Sequence, residues 1–204
     1  MKTKKAFSLV EIIIVLFIMA AVFFAIVPFS VSNIKQAKFI AVWKDYMKQV
    51  DYSYETLTEY QKENPLKKKE AFLRLMNYLD AKIVSKDEER IKNYSYKMMN
   101  GKFFHKIKLA DFDEIYQDIN GRLIGAEYKK ICKEHNECIR VWIDLNGEYK
   151  PNVVGKDIFV YEISDNFVQP YGDGIEFSKL KEGCSPQGNG MYCSKYYLIG
   201  GDLQ

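Results

Sequence analysis

The sequence lacks the signatures of a catalyst. No G-x-S-x-G, H-E-x-x-H, Walker or dinucleotide-binding glycine pattern occurs in its 204 residues. Histidine is nearly absent: His105 stands in a strand-like run beside Phe104, and His135 in a charged loop. Neither has a recognisable catalytic partner. The acids are interspersed with lysines, as on a solvated surface. The chain is therefore not expected to be an enzyme or to carry a cofactor. Internal repeats and low-complexity segments are also missing, which excludes solenoids and disordered tails. An excess of one charge is missing too. Lys and Arg number 30 against 27 Asp and Glu, and Lys2, Lys4 and Lys5 supply the surplus. Without Met1–Ala6 the balance is 27 against 27. A general grip on nucleic acid, which depends on neutralising phosphates, has no support in that balance. Lys67-Lys68-Lys69 and Lys129-Lys130 are short and read as solvated loop charges.

Between Phe7 and Val31 the only charge is Glu11. A run of that length spans a hydrocarbon core of about 30 Å at about 1.5 Å per residue. The preceding lysines place the start of the chain on the cytoplasmic side. A cleaved secretory signal would have a shorter apolar region, about 7–15 residues, ending in a small-x-small site. This run instead passes directly into an amphipathic helix. A carboxylate at membrane depth costs about 2.5–3.5 kcal/mol on insertion scales, so Glu11 calls for a partner. Pro28, near the end of the run, removes one helical hydrogen bond and predicts a kink or a locally melted turn.

Beyond the run, Ile40, Trp43, Met47, Val50, Tyr54 and Leu57 recur three and four residues apart. That is one apolar stripe on a helix, ended by Pro65 after Asn64. Its aromatic and β-branched members suit packing on a sheet. Lys67 to Leu79 reads as a second, short helix with Phe72, Met76 and Leu79 on one side. Lys86 to Lys92 reads as a loop or helical turn. The period then shortens. YSYKMM, FFHKIKL, IRVWIDL, IFVYEI and YYLI are strand-like runs, and Asn100-Gly101, Asn120-Gly121 and Asn146-Gly147 are tight-turn dipeptides beside them. The expected fold is α+β, a long N-terminal helix packed on an antiparallel sheet. Residues 65–204 form one globular head with ample aromatics, among the chain's 15 tyrosines and 13 phenylalanines.

The four cysteines fall late, as Cys132 with Cys138 and Cys184 with Cys193. Beyond a membrane the surroundings are oxidising, so pairing is expected. Three connectivities are open, and sequence proximity favours the two local ones. Zinc, with His135 between the first pair, is the alternative, but C-x5-C and C-x8-C do not match common zinc spacings.

The segment KA-FSLVE followed by about twenty apolar residues resembles the prepilin signal of type IV pilins and type II secretion pseudopilins. The resemblance implies a leader, residues 1–6, removed by a prepilin peptidase between Ala6 and Phe7, with methylation of the new Phe7 amine. It implies a transmembrane helix over 7–31, a stem helix over 32–64, and a head on the far side of the cytoplasmic membrane. Glu11 matches the family glutamate that pairs with the amine of a neighbouring subunit. Ala6 stands where the family usually has Gly, and Ser8 replaces the commoner Thr. The implied partners are other pilin-like subunits, the peptidase and an inner-membrane assembly platform. The machine is a type II secretion or DNA-uptake pseudopilus, with a ligand-binding minor type IV pilin as the alternative. A second likeness lies in WIDLNGEYKPNVVGKDIFVYEI, which follows the D-x-N-G, G-P-N, G-x-D-x-F succession of many pilin-like proteins. Asp144, Asn146, Gly147, Pro151, Asn152, Gly155, Asp157 and Phe159 fit it, and Lys150 replaces the usual Gly. Asp144, Asn146 and Asp157 offer oxygens suited to Ca²⁺, but full EF-hand spacing is absent, so a loop without metal is preferred. GCSPQGNGMYC resembles the cysteine-closed loop near the end of such chains.

Overall fold

The computed structural model describes residues 8–59, 68–101, 107–131, 137–164 and 167–203, without the side chains of residues 27–30 and 129. Helix α1 runs over Leu9–Glu59. Two compact units divide the chain, residues 1–38 and 39–204. In the first, the helix exposes nearly every described side chain, and Leu9, Ile13, Phe17 and Phe23 are among its exposed apolar residues. It is long and apolar enough to cross a membrane.

The second unit is a helix-backed sheet. After α1 come α2 (Lys68–Tyr78), β1 (Lys82–Ile83), α3 (Glu89–Lys92), β2 (Ser95–Tyr96) and β3 (Ile107–Lys108). A 3-10 turn (Leu109–Asp111) leads to β4 (Glu114–Gln117), β5 (Leu123–Ile131), β6 (Glu137–Asp144), β7 (Ile158–Ile163) and β8 (Val168–Pro170). Helices α4 (Phe177–Gly183) and α5 (Cys193–Leu198) close the chain. The main sheet has the order β1-β4-β5-β6-β7-β8 and is antiparallel throughout, and β2 pairs with β3 separately.

Strand alternation divides the core in two. On one face Ile139, Val141, Ile143, Phe159, Tyr161 and Ile163 pack against the α1 stripe and α2. Trp43, Met47, Val50 and Tyr54 are buried as the spacing predicts, with Tyr46 beside them. The Trp43 ring stacks on Phe159, with centroids 4.9 Å apart, and its Nε1–H donates to Ser194 O at 2.9 Å. Tyr46 Oη lies 3.2 Å from Tyr161 Oη, and the Tyr54 hydroxyl donates to Ser164 O at 2.6 Å. Each such aromatic brings about 1.5–3 kcal/mol of apolar burial and a polar tip that finds a partner. On the other face Leu123, Trp142, Ile158 and Val160 are covered by Val84, Ile91, Tyr94, Tyr96, Leu109 and Phe112. Gly125 makes that cover possible, because a Cβ there would fall 2.7 Å from the Phe112 ring.

Two sequence expectations change. YYLI is not a strand: Tyr196 and Tyr197 lie in α5, both buried. Four residues are too few to separate a strand from one helical turn by composition, and tertiary contacts decide. The Ser194 hydroxyl accepts the Val160 N–H at 2.8 Å, so the turn docks on the sheet and buries both rings. Strands β4 and β5 were not anticipated. Gly125, Ala126 and the charged end Glu127–Lys130 dilute the apolar alternation of β5. Its pairing with β6 supplies the order that propensity does not.

Candidate functional site

Two places hold the residues singled out by the sequence. The first is the start of α1. Ser8 caps it: Glu11 N–H donates to Ser8 Oγ at 3.2 Å, and Ser8 N–H donates to Glu11 Oε2 at 2.8 Å. This reciprocal arrangement is a capping box, whose S-x-x-E signature is legible in FSLVE and adds a local role for Glu11. Ala6 and Phe7 lie outside the described residues. Pro28 lies within α1, which is helical on both sides of it.

The second place is the β6–β7 connection, where Asp144, Asn146 and Asp157 meet. Asp144 ends β6, and Asp157 immediately precedes β7. Both are fully buried. The Asp157 carboxylate is a clasp: Oδ2 accepts Asn152 N–H and Oδ1 accepts Val153 N–H, each at 2.8 Å. These contacts hold the chain just past Pro151, where Asn152 takes the left-handed conformation at φ 55°. Asp144 Oδ1 accepts Asn146 N–H at 3.2 Å, and Asn146 Nδ2–H donates to Lys150 O at 3.1 Å. Gly147, at φ 63°, is required for space as well, since a Cβ would fall 2.3 Å from Gly121 O. Outside, Arg90 spans from Glu148 (2.6 Å) to Gln117 (3.3 Å).

The Tyr94 hydroxyl lies against both Asp144 Oδ2 and Gly147 O. It has one proton for two acceptors. A neutral Asp144 resolves the conflict, because its own proton serves Tyr94 Oη while Tyr94 donates to Gly147. The electrostatics agree. Burial, then the Asp157 charge, push the Asp144 carboxyl up to about 8. Burial pushes Asp157 up to about 6, opposed by its two backbone donors. At pH 7 the pair therefore holds about one negative charge, on Asp157, as expected of two carboxylates sharing a buried site.

The sign of the pH effect follows. Both folded-state values lie above the unfolded one, so the folded protein holds protons that the unfolded chain has lost. These groups favour folding most below about pH 4, and their contribution falls as pH rises, until Asp144 ionises near pH 8. Denaturant midpoints of the full chain measured from pH 5 to 8.5 are expected to fall over this range, and Asp144→Asn should flatten the decline. A midpoint that rises with pH, or an unchanged slope in Asp144→Asn, would contradict the protonated assignment.

Perturbed carboxylates can mark catalysis. Here neither Asp144 nor Asp157 lines any of three surface grooves of 170–420 Å³. Two of the three Ca²⁺-option residues are carboxylates whose oxygens already accept hydrogen bonds. Among the described residues no group of three or more His, Cys, Asp or Glu is placed to hold a metal. His105 and His135 lie outside the described residues. The arrangement's evident capacity is to fix a loop. Sequence reading missed Tyr94 and Tyr96, which reach this site from a separate segment with no local signal.

Cys184 and Cys193 form a disulfide. The expected Cys132–Cys138 bridge lies outside the described residues because Cys132 does, and Cys138 itself is buried. The 184–193 segment reads in sequence as a loose glycine-rich loop with little else to hold it. Instead both cysteines are fully buried in the main core cluster, and Cys193 starts α5. Cys184→Ala/Cys193→Ala is expected to cost about 2–3 kcal/mol, and to loosen α4 and α5 with the adjoining core. Hydrogen exchange checks this. Loss of protection confined to residues 185–192 would restore the loose-loop picture.

No protein-family model, curated protein or solved structure matches the chain.

Proposed function

We propose that this protein is a pilin-like structural subunit, assembled through α1 into the pseudopilus of a type II secretion or DNA-uptake machine. The observation that carries the reading is α1 itself. Its first part is exposed and apolar with Glu11 as its single acid, and its last part is the aromatic spine of a helix-backed antiparallel sheet. A membrane anchor continuous with a domain's core helix suits a subunit drawn from a bilayer into a filament. Under this reading the head lies outside the cytoplasmic membrane, where the Cys184–Cys193 bridge persists. The KAFSLVE signal supplies the leader, cut after Ala6, and the partners are the peptidase, an assembly platform and other pilin-like subunits. A head that grips DNA is the weaker reading, since the chain without its leader is formally neutral.

Intact mass of the membrane-extracted protein from its native host tests this. The expected product lacks Met1–Ala6 and carries one added methyl group on Phe7. Ala6→Gly should process at least as well, and a bulky residue at position 6 should abolish cleavage. An intact leader in cells with an active prepilin peptidase would reject the reading.

A further inference from the structure

The clasp on Asp157 has a counterpart in the neighbouring turn. Buried Asp118 fixes the β4–β5 turn: its Oδ1 accepts Asn120 N–H at 2.9 Å and Arg122 N–H at 3.0 Å, and its Oδ2 accepts Arg122 Nε–H at 2.5 Å. The two turns adjoin at one end of the head. Gly147 lies close against Gly121 O, and Arg90 bonds both Gln117 and Glu148. Turns held this firmly keep their tips in place, and both tips are apolar. Ile119 is 75% exposed and Tyr149 79%, the highest values for large apolar residues in the described part of the head. One such side chain is ordinary, but two on adjoining fixed turns form a feature.

The uncommitted charges around these tips are positive. Lys150 and Lys156 stand in the β6–β7 connection, Lys97 is bridged to Val153 of it, and Lys82 lies opposite Gln117. All four are exposed and form no ion pair among the described residues. The nearby acids are mostly bound: Glu148 and Glu88 to Arg90, Asp118 to Arg122, and Asp87 to Lys92. Glu89 of α3 has no ion pair among the described residues.

This is also the end at which the chain enters the head. Along α1, Trp43 meets Phe159 at the start of β7, and Tyr54 meets Ser164 beyond its end. Phe39 and Ile40 pack on the same core one turn before Trp43. Eight residues separate Phe39 from Val31, the last of the apolar run. Even fully extended they reach at most about 28 Å. From Val31 to Lys44 every charge is a lysine: Lys35, Lys38 and Lys44.

We infer that this end of the head docks on the surface of an anionic bilayer, with Tyr149 and Ile119 at headgroup level and Lys97, Lys150 and Lys156 against lipid phosphates. An amphipathic ring with a polar tip suits that level, and lysines bring apolar stems under their charges. Anionic headgroups attract basic clusters and complement the unpaired lysines. The bilayer is also the surface that the chain's own anchor keeps within reach. The inference rests on the proposed function only in that the apolar part of α1 lies in a membrane. The docked head is then the resting state of a subunit not yet assembled. The two aspartate clasps acquire a purpose in it, since they hold the inserted tips in place.

The test uses the full-length chain reconstituted in vesicles of phosphatidylcholine, with or without phosphatidylglycerol, brominated near the top of the acyl chains. Tyr149→Trp adds an exposed reporter to Trp43 and Trp142, which are both buried. Bromolipid is expected to quench the added fluorescence about threefold more in the anionic vesicles than in the neutral ones. Raised salt should weaken the quenching. Combining Lys97→Glu, Lys150→Glu and Lys156→Glu should bring it down to the neutral-lipid level, with the unfolding temperature unchanged because all three side chains are exposed. Three results would overturn the inference: no quenching beyond that of the wild-type chain, quenching indifferent to lipid charge and to the lysine reversals, or a reporter shielded from aqueous acrylamide but not reached by bromolipid, as in a contact between proteins. Phe17→Trp reports on the anchor in the same vesicles. Strong quenching at position 17 with none at 149 would leave the proposed function standing, whereas an unquenched position 17 would remove the membrane anchor and the function with it.

Discussion

Asp157→Ala is expected to destabilise the head by about 3 kcal/mol or more, the largest effect of any single change in the β6–β7 connection. The side chain gives one acceptor oxygen to each of two backbone donors, Asn152 N–H and Val153 N–H. Truncation leaves both in a site that is already poorly satisfied, since Asn146 Oδ1, Asn152 Oδ1 and the Tyr96 hydroxyl are buried without partners among the described residues. An unmade buried hydrogen bond costs about 1–3 kcal/mol per group. Relief of burying the Asp157 charge offsets only part of this, because the two backbone donors lose their acceptors with it. Asp157→Asn keeps one acceptor and should be intermediate. Urea unfolding of the full chain in detergent would measure the order wild type, then Asn, then Ala. An Ala variant within about 0.5 kcal/mol of wild type, the range of ordinary surface changes, would show that the clasp is dispensable.

The contrast between α1 and this connection explains what could be read from the residues alone. The stripe from Trp43 to Tyr54 obeys one periodicity, and periodicity is a local property, so its burial was foreseeable. The turns at Asn120-Gly121 and Asn146-Gly147 were equally local, since Gly121 and Gly147 sit at positive φ. Asp144 and Asp157 stood out through their place in a D-x-N-G and G-x-D-x-F succession. Their burial, their shared charge and the Tyr94 hydroxyl between Asp144 and Gly147 did not. Those depend on residues 84–101 and 107–112 lying over the outer face of the sheet, a long-range event without a spacing of its own. YYLI misled for the same reason: docking through Ser194, not propensity, made it a helix. The Ser8–Glu11 box is the reverse case, a local signature overshadowed by the membrane-depth reading of the same glutamate.

That double role makes Glu11 the most informative position in the chain. Glu11→Ala removes both the cap and the charge. Glu11→Gln removes the charge alone, because a carboxamide oxygen still accepts the Ser8 N–H in a capping box. If Glu11 only starts the helix, Gln should behave as wild type and Ala should fray the first turn. If it meets the Phe7 amine of a neighbouring subunit in an apolar setting, both variants should fail alike. The amine would then stay charged and unpaired, and breaking a buried pair by removing one partner costs about 3–5 kcal/mol. We expect the second outcome: unchanged cleavage, unchanged membrane level and unchanged head stability, with crosslinking to other pilin-like subunits and secretion or DNA uptake reduced at least tenfold in both Gln and Ala. The head is insulated from the change because its core begins well beyond position 11, with Trp43 its first fully buried residue. Assembly of Glu11→Gln at the wild-type level would reduce this glutamate to a helix cap. The charge pairing proposed between subunits would then have to be abandoned.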